Sequence, residues 1–336
     1  MKLFIWYSLL VFILVFLTFF ISTKKLNASI YVAFASFILL VSLFIYRYKN
    51  VLFLPTYNKK EFHKKLLQFH ERSQYVNLVP GHTYTYTEFI HSYQPTEHII
   101  PKLIFRMSLF KYNKLPDELK NVLENAVTIN PGYIQIYLDH DDCEMFIEEF
   151  FPDYASSYHS VIPGAFRSDI CRLLLLYQFG GVYNDIGHTY IESIDSFTHN
   201  GIELVLVREA NNHGIHNAFI QSTSRHPLLK KCIEHIMDNV SARKYTDNML
   251  NITGPGAIGY ALRKEIGKGN DYKFPLGIFE LNEYVIQIID HEWPVYIRDE
   301  NRRFISTKIP NYYTIMYVNN SIPRYAELWE MGLVYQ

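Results

Sequence analysis

The sequence predicts an α/β fold with a mainly parallel central sheet, preceded by an N-terminal transmembrane helical hairpin. Three observations carry this reading. Short apolar runs alternate with longer amphipathic ones from about residue 100 onward, the pattern of a wound sheet. Two uncharged apolar runs of lipid-spanning length stand before residue 50. No internal repeat or low-complexity stretch interrupts the chain.

Composition narrows the function classes. The 336 residues hold 32 Lys and Arg against 33 Asp and Glu, a net charge of -1. That balance argues against nucleic acid as a partner. Hydrophobic residues at 49% and aromatics at 16% exclude a mostly disordered chain. Three widely spaced cysteines, Cys143, Cys171 and Cys232, make neither a disulfide framework nor a paired zinc motif.

Taken in order, Leu3 to Ile21 is the first apolar run and Ile30 to Tyr46 the second, with a short polar turn between them. Nineteen helical residues reach roughly 28 Å, close to the thickness of a bilayer core. Residues 1–50 are therefore read as a hairpin with spans at about 3–21 and 30–46, making the chain an integral membrane protein. Arg47, Lys49, Lys59, Lys60, Lys64 and Lys65 follow the second span, whereas the turn holds only Lys24 and Lys25. The positive-inside rule then places the long C-terminal part in the cytoplasm. If one run alone inserts, that part faces the lumen. Residues 51–99 are read as a linker and helical region, and 100–336 as the main domain.

Within that domain Lys102 to Phe105 reads as a buried strand. Pro116 opens a helix that carries Leu119, Val122, Leu123, Ala126 and Val127 on one face. Asn130-Pro-Gly132 is a turn, Tyr133 to Leu138 a strand, and Asp141 to Phe150 a helix with acidic residues at its start. Asp139 to Asp142 could suggest a metal cluster, but at a strand-to-helix junction capping is the stronger reading. Pro163-Gly164 begins a helix that turns Ile170, Leu173, Leu174 and Tyr177 inward. Gly180-Gly181 stops it, and Val182-Tyr183 forms a strand leading to Asp185. Leu204 to Val207 is a further strand and Pro227 to Val240 a helix.

The chemistry concentrates between residues 165 and 188, Ala-Phe-Arg-Ser-Asp-Ile-Cys-Arg followed by an apolar helix and Gly-Gly-Val-Tyr-Asn-Asp-Ile-Gly-His. Asp169 and Arg172 are three apart and share a helix face. The following strand delivers Asp185 at its carboxyl end, the edge where open α/β sheets bind ligands.

This segment resembles the DXD-containing sugar transferase family. That family includes the fungal initiating α-1,6-mannosyltransferase, the inositol-phosphoceramide mannosyltransferases and the clostridial glucosylating toxins. The family pattern is Ala-x-x-Ser-Asp-x-x-Arg, an apolar helix, then Gly-Gly-(Ile/Val)-Tyr-x-Asp-x-Asp, whose final Asp-x-Asp is the DXD motif. Ile100-Pro-Lys-Leu-Ile, Asn130-Pro-Gly-Tyr, Asn217-Ala-Phe-Ile, His226-Pro-Leu-Leu and Thr253-Gly-Pro-Gly-Ala extend the likeness, which thins beyond residue 260.

The resemblance implies a GT-A-like nucleotide-binding domain, a nucleotide-sugar donor (UDP- or GDP-sugar), a glycan or glycolipid acceptor, and hexose transfer with retention. It implies Mn2+ or Mg2+ as cofactor. It assigns Asp169, Arg172 and Asp185 to the donor sugar, with Asp185 and Arg172 catalytic and Asp185 a metal ligand. His188 and His291 are weaker metal candidates. The pattern's second Asp is Gly187 here. That departure keeps open a second reading: a degenerate transferase-like domain that binds sugar, nucleotide or a partner protein without turnover.

Overall fold

In the computed structural model, the described residues are 78–90, 100–199, 201–210, 214–299 and 302–336. Both candidate spans, and residues 51–77 and 91–99 of the following region, lie outside them. Among the described residues no helix is long and apolar enough to cross a membrane.

The sheet begins earlier than the sequence suggests. β1 (Thr83–Thr85) and a single helical turn, α1 (Tyr86–Phe89), precede β2 (Leu103–Met107). Then come α2 (Asp117–Ile129), β3 (Ile134–Leu138), α3 (His140–Phe150), α4 (Pro152–Ser160) and α5 (Gly164–Phe179). β4 (Gly181–Asn184) and β5 (Thr189–Tyr190) follow, then β6 (Leu204–Arg208), β7 (Phe219–Ser222), α6 (Pro227–Ser241) and α7 (Pro255–Glu265). A β-rich stretch of β8 (Gly277–Leu281), β9 (Tyr284–Glu292), β10 (Tyr296–Arg298) and β11 (Arg303–Ser306) leads to α8 (Tyr325–Glu330).

Among the described residues all eleven strands join one sheet, in the order β1-β3-β2-β4-β7-β6-β9-β10-β11-β5, with β8 paired to β9. The expectation of a mainly parallel sheet is corrected: the sheet is mixed. Strands β1, β3, β2 and β4 run parallel, as do β6 and β9. β7 is antiparallel to both β4 and β6, and β8, β10, β11 and β5 also add antiparallel pairs. The alternating region does form parallel strands. β7, β9, β10 and β11 each reverse on the strand before them with no crossover helix between, which parallel neighbours would need.

The helix stop at Gly180-Gly181 has a steric cause. Gly180 and Gly181 have φ of +69° and +100°, a region L side chains avoid. A Cβ on Gly180 would sit 2.7 Å from the Ser224 backbone nitrogen, and one on Gly181 2.9 Å from the Leu103 carbonyl oxygen. The pair thus ends α5 and lets β4 slide against β2. On one side of the sheet, α5 buries Ile170, Leu173, Leu174, Leu175 and Leu176 among α3, α6 and α7. This fixes the helix that carries Asp169 and Arg172.

Candidate functional site

A cavity of about 140 Å³ opens at the carboxyl ends of β2, β3 and β4. Met107, Asp139 and Asp185 stand at those ends. Gly164, Ala165 and Ser168 of α5 form one wall, and Tyr312 and Tyr317 another. Arg172 and Asp185, two of the three residues singled out from the sequence, line it.

Arg172 is the hub. Its Nη1 donates to the Asn217 carbonyl at 2.8 Å and lies 3.3 Å from Asp185 Oδ1. Its Nη2 lies 3.2 Å from Asp169 Oδ1. The guanidinium sits 4.5 Å over the Tyr183 ring. Burial works against the charge, but Tyr183, Asp185 and Asp169 outweigh it and hold the pKa above its ordinary value. Asp185 is more open, with a side chain 33% exposed. Its Oδ1 accepts from the Tyr183 hydroxyl at 2.6 Å.

Asp169 is buried behind Arg172 and is not among the residues lining the cavity. Oδ1 accepts from Asn217 Nδ2 at 2.8 Å and Oδ2 from Thr253 Oγ1 at 2.9 Å. Burial is the largest influence on it and raises its pKa, against the pull of Arg172, Thr253 and Asn217. Asn217 and Thr253 lie in two of the segments that extend the family likeness, and here they converge on one carboxylate. Asp139 caps α3, its Oδ1 accepting from the Asp141 and Asp142 amides at 2.9 and 3.1 Å.

Arg106 escaped the sequence reading, although a charge inside the apolar strand Leu-Ile-Phe-Arg-Met was the visible signal. It is 0% exposed. Its Nη1 donates to the carbonyls of Asp185 and His188, pinning the loop after β4. Its guanidinium lies 5.3 Å over Tyr190. Burial lowers its pKa.

The residues at 185–188 do not fit a two-carboxylate metal site. Gly187 offers no side chain, and a Cβ built there would meet Tyr312 Cε2 at 2.9 Å. The tyrosine ring fills the room the missing carboxylate would need. His188 does not take its place: it is buried, its Nδ1 is 2.6 Å from Asn184 Oδ1, and it is not among the cavity's lining residues. Burial above all pushes its pKa well down. Among residues 185–188 a hard cation would find one carboxylate, Asp185; Asp139, which also lines the cavity, is held by the amides it caps and by Lys111 at 3.0 Å. His291 is not brought to this cavity either; it packs against His216 and near Glu209.

Residues 116–203 match the family model of the glycosyltransferase sugar-binding region containing a DXD motif. The match takes in Asp169, Arg172, Asp185 and Gly187, and leaves out Arg106, Asn217 and Thr253. The chain is 25% identical to inositol phosphoceramide mannosyltransferase 2 of Schizosaccharomyces pombe, over 50% of this chain and 48% of that protein. It is 26% identical to the uncharacterized glycosyltransferase L373 of Acanthamoeba polyphaga mimivirus, over 46% of this chain and 62% of that one. The chain thus spans roughly half the length of these relatives. Among solved structures, the PaToxG glycosyltransferase aligns with a TM-score of 0.41 and 22% identity, over 62% of this chain and 77% of that one.

Proposed function

We propose that the protein is a membrane-anchored glycosyltransferase that moves a hexose from a nucleotide-sugar donor to a glycan or lipid-linked acceptor, with retention. The observation that carries this reading is the convergence of Arg172 and Asp185 on one cavity at the sheet's carboxyl edge, with Asp169 locked behind them. Similarity to relatives named as mannosyltransferases supports it.

The residues divide the work as follows. The leaving nucleoside diphosphate develops negative charge, which the guanidinium of Arg172 stabilises in a poorly solvated place. The start of α5 has no side-chain cap, and its first residues line the cavity. Its free amides suit an anionic diphosphate. Asp185 accepts from a sugar or ribose hydroxyl and orients C1 toward the acceptor. Asp169 does not line the cavity; held by Asn217 and Thr253, its carboxylate fixes the Arg172 guanidinium from behind. No step is routed through Mn2+ or Mg2+, because the residues around Gly187 do not make that site.

The test compares transfer from UDP- and GDP-sugars by the full chain and by Asp185→Ala. Loss of about a hundredfold or more is expected when one such preorganised group is removed; equal rates would overturn the reading. Membrane anchoring by residues 1–50 predicts that the chain stays with the bilayer through alkaline extraction. Protease protection of the sealed vesicles reports whether the domain faces cytoplasm, as the charge bias predicts, or lumen.

Tyr312 over Gly187 favours a second reading, a domain that binds nucleotide or sugar without turnover. Calorimetry with UDP or GDP separates the two: metal-independent binding with no transfer to any acceptor would support it.

A further inference from the structure

A second cluster of ionisable side chains lies outside the cavity just described. β6 and β9 pair in parallel with Arg208 opposite Asp290, so Glu209 and His291 emerge side by side at the strand ends. The chain then returns close to itself. The Glu209 amide donates to the Gly214 carbonyl at 3.0 Å and the His216 amide to the Val207 carbonyl at 2.7 Å. This brings His216 over the same point. Its Nδ1 is 2.9 Å from Glu209 Oε1, and His291 Nδ1 is 3.6 Å from Glu209 Oε2. The two imidazoles stack with centroids 4.1 Å apart. One donor atom from each of the three residues falls within 4.8 Å of the others.

Hydrogen bonding leaves this cluster unfinished. His291 is 4% exposed, yet among the described residues neither of its ring nitrogens has a hydrogen-bond partner, and His216 Nε2 has none either. Buried imidazoles nearly always satisfy at least one nitrogen. One nitrogen from each imidazole beside one carboxylate is a donor set that a cation completes.

We propose that Glu209, His216 and His291 form a binding site for one divalent transition-metal ion of the Zn2+ class. Two imidazoles and a carboxylate suit a borderline ion better than the hard Mg2+, which prefers all-oxygen shells. Three protein ligands leave one position open. Glu209 also borders a second cavity of about 500 Å³, lined by Asn239, Asn248, Asn251 and Tyr260, which gives an ion a way in. The ion would tie the end of β6, the segment before β7 and the end of β9 together. His188 also stacks on His216, with centroids 6.0 Å apart, so this clamp lies next to the loop that carries Asp185.

The site stands on its own side chains and does not depend on the transferase reading. The test uses the purified full chain, stripped with a chelator and titrated with Zn2+ alone, with metal content counted by mass spectrometry. One ion per chain is expected. Glu209→Gln and His291→Gln should each weaken binding about tenfold or more, while Asp185→Asn should leave it intact. If a variant fails to fold, wild-type protein loaded with Co2+ gives the answer by its visible spectrum, which reports nitrogen ligation in a low-coordinate site. No stoichiometric ion in the wild type, equal binding by the Glu209 and His291 variants, or a Co2+ spectrum like the free aqueous ion would each overturn the proposal. Loss of binding in Asp185→Asn would do so as well, by moving the ion to the first cavity.

Discussion

Gly187 sits where the sugar-transferase pattern has its second carboxylate, and the neighbouring Tyr312 ring leaves no room for one. Gly187→Asp is therefore an overpacking change: its Cβ falls 2.9 Å from a ring carbon. It is expected to cost about 1–3 kcal/mol and to create no Mn2+ site. Adding Tyr312→Ala should return part of that loss, because the two side chains compete for one space. Denaturant midpoints of the two single variants and the double variant check this; additive costs would show that the ring is not the obstacle. At this scale the sequence was informative where the site is local. Asp169 and Arg172 share a helix face, and Asp185 ends the next strand, so their meeting follows from local geometry. Asn217 and Thr253 are 48 and 84 residues from the carboxylate they bind. Periodicity does not encode that distance. His291 stood out as a weak metal candidate, but its partners Glu209 and His216 did not, because the β6-β9 register and the chain's return after Glu209 bring them beside it.

Helix α6 begins with His226 as its N-cap, an unusual residue there, followed by Pro227 at the first helical position. The His226 Nδ1 accepts from the Leu228 amide at 3.2 Å, which requires an unprotonated nitrogen. Burial pushes the imidazole pKa down to about 4. The unfolded chain carries an ordinary histidine near 6.5. Between those values the unfolded state binds the extra proton, so stability rises with pH across that window. The contribution is complete above about pH 6.5 and is lost as the pH falls toward 4. A shift of this size corresponds to about 3 kcal/mol. His226→Asn keeps a capping acceptor but removes the titration, so its urea midpoint should fall less than the wild type's between pH 7 and pH 4.5. Parallel pH dependence in both proteins would place the slope elsewhere. Elements flanked by Gly or Pro were readable in this way: α2, α5 and α6 start or stop close to where those residues predict. The strands after residue 276 were not. β9 holds the near-continuous apolar run Val285-Ile-Gln-Ile-Ile289, whose period fits a buried strand or a buried helix equally well. Strand direction has no local signature at all, which is why a mixed sheet looked parallel.

Across the whole molecule, the folding unit starts earlier than residue 100, where strand-helix alternation becomes visible. β1 pairs with β3 through Thr83, Tyr84 and Thr85, and the turn after it drives Tyr86 and Phe89 into the core, both 0% exposed. Phe89 meets Phe105 and Phe179 edge-on, with centroids 5.8 and 5.2 Å away, and Tyr86 meets Phe146 at 6.0 Å. Phe105 belongs to β2, Phe146 to α3 and Phe179 to the last turn of α5. A segment placed by composition in a linker and helical region therefore packs on three elements that build the candidate site. Three strand residues and one helical turn have too short a period to reveal this from sequence. In the full chain Phe89→Ala is expected to cost about 3–5 kcal/mol, the range for emptying a buried aromatic site. Because Phe179 ends the helix that carries Asp169 and Arg172, the same variant should also lower nucleotide affinity in the folded population. Denaturant unfolding and calorimetry with UDP or GDP measure the two effects separately. A Phe89→Ala protein as stable as the wild type would return residues 83–89 to the linker and move the start of the domain back to residue 100.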